Sequence, residues 1–171
     1  PMAKPNIGSI IAAVVDPMLS DNYQLAFGSV PSGGNTMPLL MLCQQATKPG
    51  MTIEPVDVVL FGHQIEFGGR LTYTHDLSVT YVENRLNQIS NTLEDWAEMI
   101  RDHETQHGAY KAQYQTNARL TIFDQAGAVT AIYKIVNCWP SAVPEIQFDG
   151  TGANLITMQV TFKYDYVERE G

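Results

Sequence analysis

One stretch near the end of the chain restricts the possible folds more than any other. In residues 155–166, Ile156, Met158, Val160, Phe162, Tyr164 and Tyr166 share one parity, and Thr157, Gln159, Thr161, Lys163 and Asp165 share the other. A period of two belongs to a strand that buries one face and wets the other. Such a strand cannot stand alone: its apolar face needs a second layer, and its backbone edges need partner strands.

A matching stretch lies earlier. In residues 71–81, Leu71, Tyr73, His75, Leu77, Val79 and Tyr81 alternate with Thr72, Thr74, Asp76, Ser78 and Thr80. Two long, two-faced strands with hydroxyl-rich outer faces predict a mainly β fold, a β-sandwich or barrel of two packed antiparallel sheets. Tyr23, Leu25 and Phe27 predict a first short strand, and the continuous apolar run of residues 38–43 predicts a buried one. Residues 51–61 read as a strand with Pro55 inside it, which demands an edge position or a bulge because proline cannot donate to a ladder. Residues 62–69 read as a turn or short hairpin around Ile65 and Phe67. Residues 119–123 and 128–138 form a second hairpin about Asp124-Gln125-Ala126-Gly127, and residues 139–144, with two prolines, read as a kinked crossover.

The period changes once. Leu93, Trp96, Ala97 and Ile100 follow helical spacing behind Asn91-Thr92-Leu93-Glu94, which fits a capping box, so one flanking α-helix is expected at about 92–104. Residues 1–21, with Pro1, Pro5, Gly8 and Pro17 around a short apolar patch, read as an extended N-terminal arm, and residues 22–171 as a single β domain.

Composition narrows the function. Lys and Arg total 10 against 18 Asp and Glu, a formal net charge of −8, which disfavours gripping nucleic acid, because phosphate binding rests on basic side chains. The two cysteines, Cys43 and Cys138, are too few for a disulfide framework. No stretch approaches the roughly 20 apolar residues of a membrane helix, so no membrane insertion is expected.

The sharpest chemical motif is His103-Glu104-Thr105-Gln106-His107. On a helix, H-E-x-x-H puts two imidazoles on one face to hold zinc with the glutamate as general base, so a zinc-dependent hydrolase is one alternative. The longer zinc-binding form fails, because Tyr110 and Gln113 stand where Gly and His are required. No Walker A loop, G-x-S-x-G elbow or dinucleotide fingerprint occurs. The residues favour a structural or interaction protein over an enzyme, with no cofactor and no metal.

The order of parts resembles the tail tube protein of contractile-tailed bacteriophages. The resemblance rests on residues 22–27, on Cys43 followed by Pro49-Gly50, on Leu93-Glu94-Asp95-Trp96, and on Val160-Thr161-Phe162-Lys163-Tyr164-Asp165-Tyr166. It implies a virion protein, assembled in the host cytoplasm, whose hexameric rings stack into the inner tube of a contractile tail. The implied partners are the tail sheath, baseplate and tail terminator proteins, a tape measure protein in the lumen before ejection, and genomic DNA passing through unbound. Tubes of phage-like bacteriocins and secretion or injection systems share the fold and form the other alternative. On this resemblance, Thr72, Thr74, Asp76, Ser78, Thr80, Thr157, Gln159, Thr161 and Asp165 are candidates to line the lumen, where acidic charge would repel DNA. Ile10, Ile11, Val14, Val15, Ile65 and Phe67 are candidates for contacts between rings.

Overall fold

The computed structural model describes residues 6–14 and 18–171. In chain order the elements are α1 (Ile7–Val14), β1 (Tyr23–Phe27), α2 (Met37–Met41), β2 (Cys43–Ala46), β3 (Met51–Leu60), β4 (His63–Tyr73), β5 (Asp76–Val82), α3 (Gln88–Ile100), α4 (Lys111–Tyr114), β6 (Thr116–Phe123), β7 (Val129–Ala142), β8 (Thr157–Lys163) and β9 (Tyr166–Glu170).

The final amphipathic stretch supplies the central strand β8. Its Met158, Val160 and Phe162 are buried, and it lies antiparallel to β5, whose Leu77, Val79 and Tyr81 are buried on the same side. β2 pairs with the far edge of β5, and β1 and β9 flank the β6–β7 hairpin. β7 belongs to both layers: residues between Val129 and Cys138 pair with β6 or β9, and Trp139, Pro140 and Ala142 pair with β8. Just before that change, where the register against β6 shifts, Asn137 takes φ 60°, a left-handed conformation that asparagine tolerates better than most residues. This one strand changes layers at its bend, so the two antiparallel sheets fold over one another as a sandwich. The hydrogen-bonded path runs from β1 to β2 without joining its ends. The barrel alternative is therefore corrected to an open sandwich.

α3 seals the sandwich with the predicted stripe. Ile89, Leu93 and Trp96 are fully buried, and the Trp96 ring meets Phe27 edge-on at 6.1 Å and Phe162 at 6.1 Å. The Trp96 indole N–H donates to the Tyr114 carbonyl at 2.8 Å, which satisfies its one polar atom.

The helix starts one turn earlier than the capping box predicts. Its N-cap is Asn87, and Asn91 lies inside the helix. The orphan amides are met by Glu83, at the end of β5: Ile89 N and Ser90 N donate to its carboxylate at 3.2 and 2.9 Å, and Ser90 Oγ donates at 2.8 Å. Burial raises the pKa of Glu83, but the hydrogen bonds from Ser90, Asn84 and Ile89 outweigh it and hold the carboxyl below its usual value. A depressed folded pKa contributes stability above the unfolded value of about 4.3, lost as pH falls through the folded one. Glu83→Ala is expected to cost about 1–2 kcal/mol through the lost cap. In urea unfolding, the wild-type minus variant difference should shrink between about pH 7 and about pH 3, and a pH-independent difference would contradict this role.

Other expectations change in place. The described part of the arm, Ile7–Val14, is helical, not extended. Residues 37–41 form α2, because Pro38 in the first turn favours a helix start. Residues 139–142 continue β7, so the crossover is part of a strand. The stretch 71–81 is two strands broken at Thr74-His75, where His75 has φ 60°, and 155–166 is broken at Tyr164-Asp165 between β8 and β9. Pro55 does mark a bulge, since the β3–β4 register shifts between Ile53 and Pro55.

Candidate functional site

Two surfaces stand out. The first is the outer face of β5 and β8, where the pairing sets Asp76 opposite Lys163, Ser78 opposite Thr161, Thr80 opposite Gln159 and Val82 opposite Thr157. Asp76, Ser78, Thr80, Thr157, Gln159 and Thr161 thus share one face, extended by Gln45 of β2 beside Thr80. Gln159 Nε2 donates to Ser78 Oγ at 2.8 Å, and Lys163 Nζ to Asp76 Oδ1. The Asp76–Lys163 pair cancels charge, leaving hydroxyl and amide groups as the character of this face.

Three lumen candidates lie elsewhere. Thr72 is on β4, where its hydroxyl donates to the Thr52 carbonyl at 3.2 Å. Thr74 sits in the β4–β5 break, 3.4 Å from the Tyr164 hydroxyl. Asp165, in the β8–β9 turn, accepts from Lys111 Nζ and from Asn137 Nδ2 at 2.7 Å. Lys111 first, then Asn137, holds its carboxyl below the usual range. Both aspartates among the lumen candidates are thus paired with a lysine.

The second surface is the β3–β4 hairpin. Its strands pair with each other and stand apart from the seven-stranded sheet. The register puts Val56 opposite Phe67 and Val58 opposite Ile65 on one face, and Asp57 opposite Glu66 on the other. Ile65 and Phe67 are 46% and 55% exposed, so a largely uncovered apolar ridge projects from the body. The segment 62–69, expected as a turn or short hairpin, is mostly strand β4, and the turn is Phe61-Gly62. At the bulge, a Cβ on Gly69 would stand 2.7 Å from the Glu54 carbonyl, so glycine is needed there for close backbone approach.

Among the candidates in the arm, Ile11 is 65% exposed on α1. The side chains of Ile10 and Val14, and the whole of Val15, lie outside the described residues.

The H-E-x-x-H motif loses its helix. α3 ends at Ile100, Arg101 is extended, and Arg101 bridges Gly108 across a tight loop. Asp102 Oδ1 accepts from Glu104 N at 3.0 Å, Thr105 N at 2.7 Å and Thr105 Oγ1 at 2.9 Å, and Gln106 has φ 59°. His103 instead meets Glu98 at 2.9 Å. The two imidazoles therefore do not share a helical face, which removes the geometric basis of the zinc alternative.

The subunit is thus an open sandwich with one hydroxyl-rich sheet face, one flanking helix and a long projecting hairpin. The solved structures similar to it include a chain of the sheath/tube terminator of the extracellular contractile injection system PVC in its extended state, at 12% identity and TM-score 0.67, covering 92% of this chain and 99% of that one. A chain of the PVC sheath–tube complex is similar at 13% identity and TM-score 0.63, covering 97% and 99%. A chain of the anti-feeding prophage baseplate, 6-fold symmetrised, is similar at 12% identity and TM-score 0.63, covering 91% and 97%. No curated protein matches the sequence. The phage tail tube protein family matches residues 18–169, and the chain belongs to that family. It is therefore a phage tail tube family protein, with a fold similar to that of chains in contractile injection-system particles.

Proposed function

We propose that six copies close into a ring and that rings stack through the β3–β4 hairpin into a hollow tube, the conduit of a contractile particle. The observation that carries this reading is the hairpin itself: strands of 10 and 11 residues, paired with each other and apolar on an exposed face. Exposed apolar surface of that extent implies a partner. A contact between different surfaces of identical subunits closes into a ring when its rotation closes and grows a filament when it does not. The 6-fold symmetry in the baseplate that holds a similar chain supports six as the ring number.

The β5–β8 face lines the bore, where short hydroxyl and amide groups let cargo slide without a cationic grip. In a phage the cargo is the genome, preceded by a tape measure protein, and the tube sits inside a sheath between baseplate and terminator in a virion tail built in the host cytoplasm. The similarity to injection-system chains favours a second reading, in which the same bore carries protein effectors. In both, the chain is structural and catalyses nothing.

Negative-stain electron microscopy of the purified protein over a concentration series tests the assembly. Hollow tubes, or rings with six-fold end views, are expected above a threshold concentration. Compact single particles at every concentration, even with baseplate seeds added, would overturn the reading.

A further inference from the structure

The hairpin tip carries an anomaly. Phe61 and Gly62 form the two-residue turn, both at positive φ, 51° and 76°. This turn favours Asn-Gly or Gly-Gly, and a bulky residue in its first position is strained. Phe61 is also 101% exposed, so the isolated subunit gains nothing from its ring. Strain and full exposure together mark a side chain kept for a contact outside the subunit.

A receptor for such a ring lies at the other end of the same hairpin. A cavity of about 480 Å³ is lined by Met51, Tyr73, Tyr133 and Val167 and flanked by the cations Lys48 and Arg169. Lys48 Nζ sits 4.3 Å from the Tyr133 ring centroid. Lys111, Arg119, Lys134 and Lys163 each pair with a carboxylate. Lys48 and Arg169, among the described residues, have no such partner. Behind the tip, Asp57 and Glu66 stand directly opposite one another with no cation paired to either among the described residues. Like charges placed so are destabilising within a lone hairpin and become favourable against a basic surface.

We propose that Phe61 at the hairpin tip of one copy plugs the Tyr73–Tyr133 pocket at the hairpin root of a copy in the next ring, while Asp57 and Glu66 meet Lys48 and Arg169. This rests on the stacked-ring reading and names the partner surface within it. Tip and root are the two ends of one element about 33 Å long, at about 3.3 Å per residue. Each copy then offers a plug at one end and a socket at the other, a head-to-tail contact that repeats without closing.

Phe61→Asn gives the turn a residue that it prefers. It should raise the thermal stability of the isolated subunit while raising the threshold concentration for tubes, followed by light scattering and microscopy, about tenfold or more, as loss of an aromatic anchor does. Reversing either charged pair, Asp57→Lys with Glu66→Lys or Lys48→Glu with Arg169→Glu, should also raise the threshold about tenfold, and combining all four in one chain should return it to within about threefold of wild type. Wild-type tubes together with an unchanged threshold for Phe61→Asn, or a four-fold variant no better than either pair, would overturn the plug and leave stacking in place. Wild-type protein that forms no tubes would overturn both.

Discussion

Trp96→Ala is expected to cost about 3–5 kcal/mol of folding stability, a large fraction of the roughly 5–15 kcal/mol that a domain typically has. The indole is fully buried where α3 closes onto the sandwich, against Phe27 from one sheet and Phe162 from the other. Truncation removes a large apolar surface and leaves a cavity that α3 can collapse into only partly, because Ile89 and Leu93 hold the helix at their own buried sites. It also strands the Tyr114 carbonyl, which accepts the indole N–H at 2.8 Å. Trp96→Phe separates the two contributions: it refills much of the cavity but not the hydrogen bond, and should cost about 1–3 kcal/mol. Urea unfolding followed by circular dichroism measures both. A loss under about 1 kcal/mol for Trp96→Ala would show that the helix is not integral to the core.

That packing was readable in the chain because its signal is periodic and its partners are apolar. Leu77, Val79 and Tyr81 and Met158, Val160 and Phe162 fall on the buried parity, and Leu93 and Trp96 fall on the helical one. The breaks were not readable, because they do not interrupt the pattern. Tyr164 is 2% exposed and continues the alternation of β8 although the chain has left the strand, so parity alone extended one strand across two. His75 hides a break in the same way, its ring Nδ1 lying 2.8 Å from the Tyr164 carbonyl. The start of α3 escaped for a different reason. Its cap comes from Glu83, just past the end of β5 and across a turn, and a local search for a capping residue finds Asn91 instead.

The candidate surfaces divide along the same line. Six of the hydroxyl, amide and acid positions were placed on one face because period two and antiparallel pairing bring them there. Thr72, Thr74 and Asp165 were lost at the breaks. In the hairpin, residues 51–61 read only as an edge or bulged strand around Pro55. Only the exposure of Val56, Ile65 and Phe67, on a hairpin that no third strand joins, reveals that its apolar face has no cover among the described residues.

Replacing residues 54–70 by Asn-Gly is expected to abolish tubes while sparing the fold. The substitution closes the hairpin at the Ile53–Leu71 rung with a two-residue turn suited to strand twist, and keeps the Met51–Tyr73 rung that joins the hairpin to the body. Among the described residues, none of the buried core side chains lies in the removed segment, so the melting temperature should stay within about 5 °C of wild type. Assembly should respond quite differently. Removing Val56, Val58, Ile65 and Phe67 eliminates an apolar face left largely exposed by the described residues, and with it the contact proposed to propagate along the axis. Sedimentation velocity and microscopy at concentrations where wild type forms tubes should find monomers or isolated rings. Isolated rings would assign the hairpin to stacking alone, and monomers would add a role in ring closure. Full-length tubes from the shortened chain would mean that the exposed ridge faces the sheath or solvent, and that other surfaces drive polymerisation.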